Sequence, residues 1–340
     1  MGFVVAVVGA TGAVGREMLA TLEARKFPVD KLVCLASPRS AGGKVRFRGQ
    51  EVTIEATTAA SFAGVQIALF SAGASVAREM GPIAAAAGAV VIDNSSAWRA
   101  DPECPLVVPE VNEAAIRTRP KGIIANPNCS TIQLLVALKP LHDAATLRHI
   151  IVSTYQATSG KGHAAVEDLR GQMRALASGE KVAPTVFPGQ IAANLLCDWK
   201  ADTTPAGEGY SEEEMKMISE TRKIMGDPSI AVSPTCVRVP VVNGHSESVH
   251  AKFARPITVD EARRLLEKAP GVVLDARPYA PGHHPQPIHV SGRDEVFVGR
   301  IRKDFGDPNA LNLWIVGDNL RKGAALNAVQ IAERVILERA

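Results

Sequence analysis

The chain is poor in several features that would each point to a class of protein. Its five cysteines (Cys34, Cys104, Cys129, Cys197 and Cys236) are odd in number and scattered, with no C-x-x-C pair. That pattern argues against a disulfide framework and against a zinc site, and it fits a reducing compartment. Basic residues outnumber acidic ones only by 38 to 35, and no run of Lys or Arg exceeds a few positions, so a nucleic-acid partner is not expected. The longest apolar stretch, Ile83 to Val91, is interrupted by Gly88 and is far too short to span a bilayer. The opening Met-Gly-Phe-Val-Val-Ala-Val-Val lacks a basic leader and reaches a glycine turn within ten residues. It reads as a strand rather than a signal peptide. No internal repeat or low-complexity tract is evident. A cytoplasmic protein, metal-free and working on small molecules, is the expectation.

What is present is a core. Hydrophobic residues make up 46% of 340 and charged residues 21%, the balance of a soluble globular chain of about two domains. The first 125 residues alternate short apolar strands with helical segments: strands at Phe3–Val8, Lys31–Ala36, Gln66–Phe70 and Ala89–Ile92, helices at Arg16–Ala24 and Ser75–Ala87. Short strands buried on both faces and separated by helices predict a parallel, doubly wound sheet. Beyond Cys129 the strands lengthen and follow one another more closely (Ile150–Gln156, Ile230–Val242, Ser248–Ala254, Glu295–Arg300, Leu311–Val316). That predicts an α+β domain on a mixed or antiparallel sheet. A last helix over Asp318–Leu337 is expected to return to the first domain, giving domains 1–128 plus 318–340 and 129–317.

Between the first strand and the first helix lies Gly9-Ala10-Thr11-Gly12-Ala13-Val14-Gly15. Glycines at that spacing let the backbone turn sharply and approach a pyrophosphate seated on the helix N-terminus. A tight strand-to-helix turn without a ligand is the plainer reading. The second strand ends in Ala36-Ser37-Pro38-Arg39-Ser40, with no acid to bind a ribose 2′-hydroxyl. It offers instead a guanidinium and two hydroxyls, the groups that suit a 2′-phosphate, so NADP is favoured over NAD.

Cys129 stands in Asn126-Pro127-Asn128-Cys129-Ser130-Thr131, running into the apolar Ile132–Leu138. A Pro–Asn turn before an apolar run predicts a helix start. A thiol in a first helical turn is biased toward the thiolate, an activated nucleophile, although a small buried residue packing a helix start would look the same. His245 falls in a turn between two strands, where it could serve as a general base or merely cap the turn. Arg238 sits in an otherwise apolar strand and needs an anion, either a substrate carboxylate or an internal acid. Arg99 follows a strand end in the nucleotide-binding half, where ligands of such sheets bind. Glu213 and Lys216 share one helix face at i, i+3, a pair able to meet one ligand or simply a solvated surface. Gln156 and Ser159-Gly160 occupy a strand end turning through glycine, placed to orient a carbonyl or to close a turn.

Taken in order, these segments resemble the aspartate-β-semialdehyde dehydrogenase family. The resemblance spans the chain: Gly-Ala-Thr-Gly-Ala-Val-Gly at 9–15, Ser-Pro-Arg-Ser-Ala-Gly at 37–42, Asp-Asn-Ser-Ser-Ala-Trp-Arg at 93–99, Val-Pro-Glu-Val-Asn at 108–112 and Asn-Pro-Asn-Cys-Ser-Thr at 126–131. It continues with Tyr-Gln-Ala-Thr-Ser-Gly at 155–160, Glu-Glu-Met-Lys-Met at 213–217, Val-Arg-Val-Pro at 237–240 and Gly-His-Ser-Glu at 244–247. It implies a Rossmann-like domain beside a catalytic and dimerisation domain. The implied reaction is NADPH-dependent reduction of L-aspartyl 4-phosphate to aspartate 4-semialdehyde with release of phosphate, in lysine, threonine and methionine biosynthesis. By position, Cys129 would form an acyl-thioester and His245 would be the acid/base. Gln156, Arg238 and Glu213 would hold the substrate, and Arg99 and Lys216 the phosphate. Gly9, Thr11, Gly12, Ala13, Val14, Arg39, Ser40, Ser159, Gly160, Asn319 and Gln330 would contact NADP(H). A homodimer, or a tetramer built from it, is implied.

The chain departs from the family pattern in two places. Lys161 follows Ser159-Gly160 where a small residue is expected, which would add a positive charge near the cofactor. The run Ala192-Ala193-Asn194-Leu195-Leu196-Cys197-Asp198-Trp199 replaces a more usual Phe-Asn-Val-Ile-Pro, a change expected to touch packing or the dimer contact rather than chemistry. N-acetyl-γ-glutamyl-phosphate reductase, which shares the architecture and a catalytic thiol, is the alternative enzyme. A non-catalytic NADP-binding protein of the same fold would require Cys129 or His245 to be silent.

Overall fold

The computed structural model describes residues 2–338, which divide into two compact units: the segments 2–127 with 324–338, and 128–323. The first unit is built on β1 (Phe3–Val8), β2 (Val29–Ala36), β3 (Lys44–Phe47), β4 (Gln50–Ala56), β5 (Ile67–Phe70), β6 (Val90–Asp93) and β7 (Ile123–Ala125). These form one sheet in the order β3-β4-β2-β1-β5-β6-β7. Only the β3–β4 pair is antiparallel; the other pairs are parallel. Side chains alternate across a strand, so Val5 and Val7 of β1 enter one core and Ala6 and Val8 the other. Burial on both faces explains the uninterrupted apolar run. Helix α1 (Ala13–Ala24) packs on the first face through Met18 and Leu22, α2 (Ala74–Ala86) on the second through Ala77 and Ala84, and a short α3 (Pro109–Asn112) precedes β7.

The second unit opens with α4 (Cys129–Ala145), whose residues from Ser130 to Leu138 are all buried. Buried on all sides along that stretch, α4 packs on the sheet of this unit and on α6. That sheet comprises β8 (Leu147–Gln156), β9 (Ala231–Arg238), β10 (His245–Phe253), β11 (Val272–Leu274), β12 (Val296–Lys303) and β13 (Ala310–Gly317). Its order is β11-β12-β13-β10-β8-β9, with parallel pairs at the two edges and antiparallel ones between. Helices α5 (His163–Ala177), α6 (Glu212–Met225), α7 (Val259–Glu267) and α8 (Pro287–Val290) complete the unit. The last helix, α9 (Leu326–Leu337), belongs to the first unit, where Val329, Ala332 and Val335 join the core that α1 covers.

The doubly wound sheet and the second, mixed sheet agree with the expected fold class. Several boundaries differ. The strand expected over Ile230–Val242 stops at Arg238, because Pro240 has no N–H to continue a ladder. His245 is the first residue of β10 rather than part of the turn before it. The helix expected from Asp318 starts at Leu326, after a π-turn over Arg321–Ala325. The Asp318 carboxylate accepts from the N–H groups of Leu320, Arg321 and Gly292 and from the Asn243 amide, which anchors 318–323 in the second unit and not in the first.

Candidate active site

The candidate residues lie at strand ends and on the helices α1, α4, α6 and α9. In the first unit, β1 runs into Gly9, whose backbone has φ +87° and where a Cβ would meet the Ser71 carbonyl and the Ala72 N–H at 2.9 Å. A side chain is excluded on both counts. A Cβ at Gly15 would fall 2.1 Å from the Gly9 carbonyl oxygen, so the first turn of α1 lies against the loop. Gly12 is the N-cap of α1 and brings no side chain to occupy the first-turn amides, nor is there an acid in that turn. This is a cradle shaped for a phosphate. At the end of β2 a single 3₁₀ turn, Pro38–Ser40, presents Arg39 to solvent. The residues present thus fit a dinucleotide. Arg99 follows β6 and is tied by its Nε to the Asn126 carbonyl (2.9 Å) and by Nη2 to the Asn94 carbonyl (2.9 Å). Gln330 in α9 donates to Glu110 at 3.1 Å.

In the second unit the network grows from Asn128. Its side-chain oxygen caps α4, accepting from the N–H groups of Ser130 (3.0 Å) and Thr131 (3.4 Å), and its amide donates to Glu213 Oε1 at 2.8 Å. The Asn128 N–H is taken by the buried Glu220 at 2.6 Å. Gln156, at the end of β8, donates to the same Glu213 oxygen at 3.1 Å, and Lys216 reaches Glu213 Oε2 at 3.2 Å. Burial pushes the Glu213 carboxyl up, but the Lys216 charge and the Asn128 and Gln156 amides outweigh it, so it lies below the usual carboxylate range. Cys129 is therefore the first residue of a buried helix whose cap is rigidly held. Its thiol is half-buried, and Gly323 packs on it so closely that a Cβ there would meet Cys129 Cβ at 2.9 Å.

Arg238 and His245 converge on the turn after β8. Arg238 Nη1 donates to the Ala157 carbonyl (3.0 Å), and the Ala157 N–H donates to His245 Nδ1 (2.9 Å). Because Nδ1 accepts, a neutral imidazole carries its proton on Nε2, which is buried and unbonded. Burial, and then the neighbouring Arg238 charge, hold His245 well below its ordinary pKa, so it is neutral near pH 7. Gly160 sits over both: a Cβ there would lie 3.3 Å from His245 Nε2 and 3.4 Å from Arg238 Nη1. Asn319 links this group to Ser159 (2.9 Å) and to the Gly244 N–H (2.9 Å). Among the described residues no cluster could hold a metal ion, and no helix is long and apolar enough to cross a membrane.

Residues 4–119 match the family model for the semialdehyde dehydrogenase NAD-binding domain, and 138–322 the model for its dimerisation domain. An aspartate-semialdehyde dehydrogenase of Aquifex aeolicus is 53% identical over 341 residues, covering 99% of each chain. That of Bacillus subtilis is 52% identical, covering 98% of this chain and 97% of its own. The chain belongs to the aspartate-semialdehyde dehydrogenase family. Among solved structures, aspartate semialdehyde dehydrogenase II of Vibrio cholerae complexed with ASA superposes with a TM-score of 0.94 at 48% identity, covering 99% of this chain and 98% of that one. As a member of this family the chain is an oxidoreductase, and its first unit is a nicotinamide-dinucleotide domain.

Within this dehydrogenase the second unit brings together Gln156, Glu213 and Lys216 in one hydrogen-bonded group, and Arg238, His245, Ser159, Gly160 and Asn319 in another. Gly9, Thr11, Gly12, Ala13, Val14, Arg39, Ser40, Arg99 and Gln330 lie in the first unit. Sequence reasoning overlooked the part of Asn128, although an Asn directly before an apolar run is the ordinary N-cap signal. It also overlooked Gly323, Asp198 and Trp199. Asp198 pairs with Arg238 Nε (3.3 Å) and Trp199 stacks 4.5 Å beneath the guanidinium. The divergent 192–199 run therefore reaches a candidate substrate ligand, contrary to the expectation that it would affect only packing or the dimer contact.

Proposed function

We propose that the enzyme reduces L-aspartyl 4-phosphate to L-aspartate 4-semialdehyde with NADPH, through a thioester on Cys129. The observation that carries the reading is the double use of Asn128: one side chain caps the helix that begins with Cys129 and holds Glu213. A nucleophile at a helix N-terminus and a buried carboxylate for a substrate ammonium are thereby fixed to one another.

Cys129 as thiolate attacks the acyl carbon; the C–S bond forms and, when the tetrahedral adduct collapses, the C–O bond to phosphate breaks. Arg238 holds the substrate carboxylate, Glu213 its ammonium, and Gln156 orients the acyl group. Arg99 and Lys216 receive the departing phosphate, each as a fixed cation that needs no reorganisation. His245 Nε2–H donates to the oxyanion of each tetrahedral adduct. Acting as a base at Nε2 would first require its proton to move to Nδ1, at the expense of the Ala157 hydrogen bond. Gly9, Thr11, Gly12, Ala13, Val14, Arg39, Ser40, Ser159, Gly160, Asn319 and Gln330 would hold NADP(H), which would supply a hydride to the thioester. Collapse of the second adduct then breaks the C–S bond and returns the thiolate.

The family's dimerisation domain at 138–322 supports a homodimer, with a tetramer built from it as the larger form. We place the enzyme in the cytoplasm, in aspartate-family amino-acid biosynthesis. The test is phosphate-dependent NADP reduction in the reverse direction, comparing aspartate semialdehyde with N-acetylglutamate semialdehyde, in wild type and Cys129→Ala. Turnover of the first substrate only, abolished without the thiol, is expected. Preference for the acetylated substrate, or turnover surviving the substitution, overturns the proposal.

A further inference from the structure

The two departures from the family pattern meet in space. Lys161 Nζ lies 2.7 Å from Asp198 Oδ2, and Asp198 Oδ1 lies 3.3 Å from Arg238 Nε. The Asp198 side chain is 1% exposed, and both of its oxygens are engaged. Its position is set by backbone: Leu196 and Arg238 exchange two hydrogen bonds (Leu196 N–H to the Arg238 carbonyl 3.1 Å, Arg238 N–H to the Leu196 carbonyl 2.7 Å). In such an antiparallel bridge, the residue two along from Leu196 is the diagonal neighbour of Arg238 on the same face. Trp199 supplies the surface on which the guanidinium lies, and Phe187 does the same for Lys161, at 5.1 Å.

A guanidinium has five N–H donors in a fixed plane and can receive a carboxylate side-on, through Nε and one Nη, or end-on, through both Nη atoms. Here Nε is committed to Asp198 and one Nη1 hydrogen to the Ala157 carbonyl. The side-on approach through Nε is closed, and the three remaining donors are one hydrogen on Nη1 and both on Nη2, the two atoms that an end-on carboxylate engages. Asp198 would by itself cancel the charge of Arg238 and repel a substrate carboxylate. Lys161 offsets that: the Lys161–Asp198–Arg238 group carries a net charge of +1, enough for one carboxylate.

We propose that Asp198 is a positioning residue that fixes Arg238 for end-on capture of the substrate carboxylate, and that Lys161 is the counter-ion that keeps Arg238 attractive while it does so. This rests on the assignment of Arg238 to that carboxylate.

The test measures KM separately for aspartate semialdehyde, phosphate and NADP, with kcat, in the full-length enzyme. Asp198→Ala is expected to raise the aspartate semialdehyde KM roughly tenfold, the scale of one loosened charge-assisted hydrogen bond. The phosphate and NADP KM values should stay within about twofold, since those ligands do not use this edge of Arg238. Asp198→Asn keeps an acceptor facing Nε and should restore most of the loss. Lys161→Met should raise the same KM several-fold alone, but have little further effect in the Asp198→Asn background, where no carboxylate needs neutralising. Equal changes in all three KM values, no advantage of Asn over Ala, or full additivity of Lys161→Met with Asp198→Asn would overturn the proposal. Should Asp198→Ala not fold, the Asn and Met variants carry the same test. Arg238→Met separates the two levels: an unchanged aspartate semialdehyde KM there refutes the underlying assignment, whereas a raised one with silent Asp198 variants refutes this proposal alone.

Discussion

Gly323→Ala places one methyl group against the nucleophile. The new Cβ would lie 2.9 Å from Cys129 Cβ, 3.3 Å from Cys129 Cα and 3.6 Å from Asn319 Cβ. Carbon pairs settle at about 3.5 Å or beyond, so the first contact is about 0.6 Å short. Neither side can yield by a rotamer change, because all the crowded atoms are backbone or Cβ. Cys129 cannot retreat easily either, since its helix is capped by Asn128, which Glu213 and Glu220 hold. In stability the substitution is nearly balanced: overpacking costs about 1–3 kcal/mol, and replacing a helical glycine recovers up to about 1. Catalysis has no such offset. Misplacement by about 1 Å costs on the order of a hundredfold in a positioned reaction, and half that distance still a tenfold. Steady-state kinetics in the reverse direction should therefore show kcat reduced at least about tenfold, with the melting temperature lowered by only a few degrees. Gly171→Ala is the control: it lies within α5, its Cβ would meet only Arg174 Nη2 at 3.9 Å, and it should leave kcat unchanged. A kcat for Gly323→Ala within twofold of wild type would refute the claim that this contact fixes the nucleophile.

Three further outcomes follow from the surroundings of buried groups. Cys34 is pushed up to about 11 by burial and then by Glu55, and Cys236 is raised further by burial and Glu213, while Cys104 is fully buried. In the native enzyme a thiol reagent should thus modify only Cys129 and Cys197, with all five reacting in denaturant, and Cys129→Ala should remove one native equivalent; a third native equivalent would contradict the packing. Burial holds Glu247 well above its ordinary pKa despite the Gln133 amide, so it stays protonated in the fold and ionises in the unfolded chain. The native state then binds the extra proton, and stability falls as pH rises from the ordinary carboxylate range to the raised value. Glu247→Gln should flatten that slope in urea midpoints taken between pH 5 and 8, and an unchanged slope would count against it. Glu213 has the opposite sign. Its depressed pKa contributes stability above the ordinary range that is lost as pH falls through the folded value, so Glu213→Gln should weaken acid denaturation.

The parallel sheet was legible because two-sided burial writes itself into β1 and β5 as unbroken apolar runs, and the first glycine turn was legible because its φ and close approach exclude side chains. The β3–β4 pair at one edge of that sheet was not. Its strands are half-exposed and charged on one face (Lys44, Arg46, Glu51, Glu55), with only Val45, Phe47, Val52 and Ile54 alternating on the other, so they lack the unbroken apolar run that marks the strands buried on both faces. Helix α9 was extended too far upstream because Asp318, Asn319 and Lys322 read as an ordinary polar helix start. In the fold Asp318 spends its carboxylate on a turn of the second unit.

The site divides along the same line between local and non-local information. Cys129 at a helix start is a local fact, carried by Asn128 before it and the apolar run after it. That Glu213 meets Asn128 and Gln156 is not, since those contacts join positions 85 and 57 residues apart. Lys161 and Asp198 mark the limit most clearly. Each was visible as a departure from an expected residue, and each alone suggested a different consequence, a stray charge near the cofactor or an altered packing surface. Their sum is neither, because an acid and a base 37 residues apart cancel one another on the Nε edge of Arg238. A lone buried carboxylate beside that arginine would oppose the binding of a substrate carboxylate, and a lone lysine would leave Arg238 free to turn. The pair does neither, so loss of the Lys161 charge is expected to be costly while Asp198 is a carboxylate and nearly neutral once Asp198→Asn has removed the acid's charge.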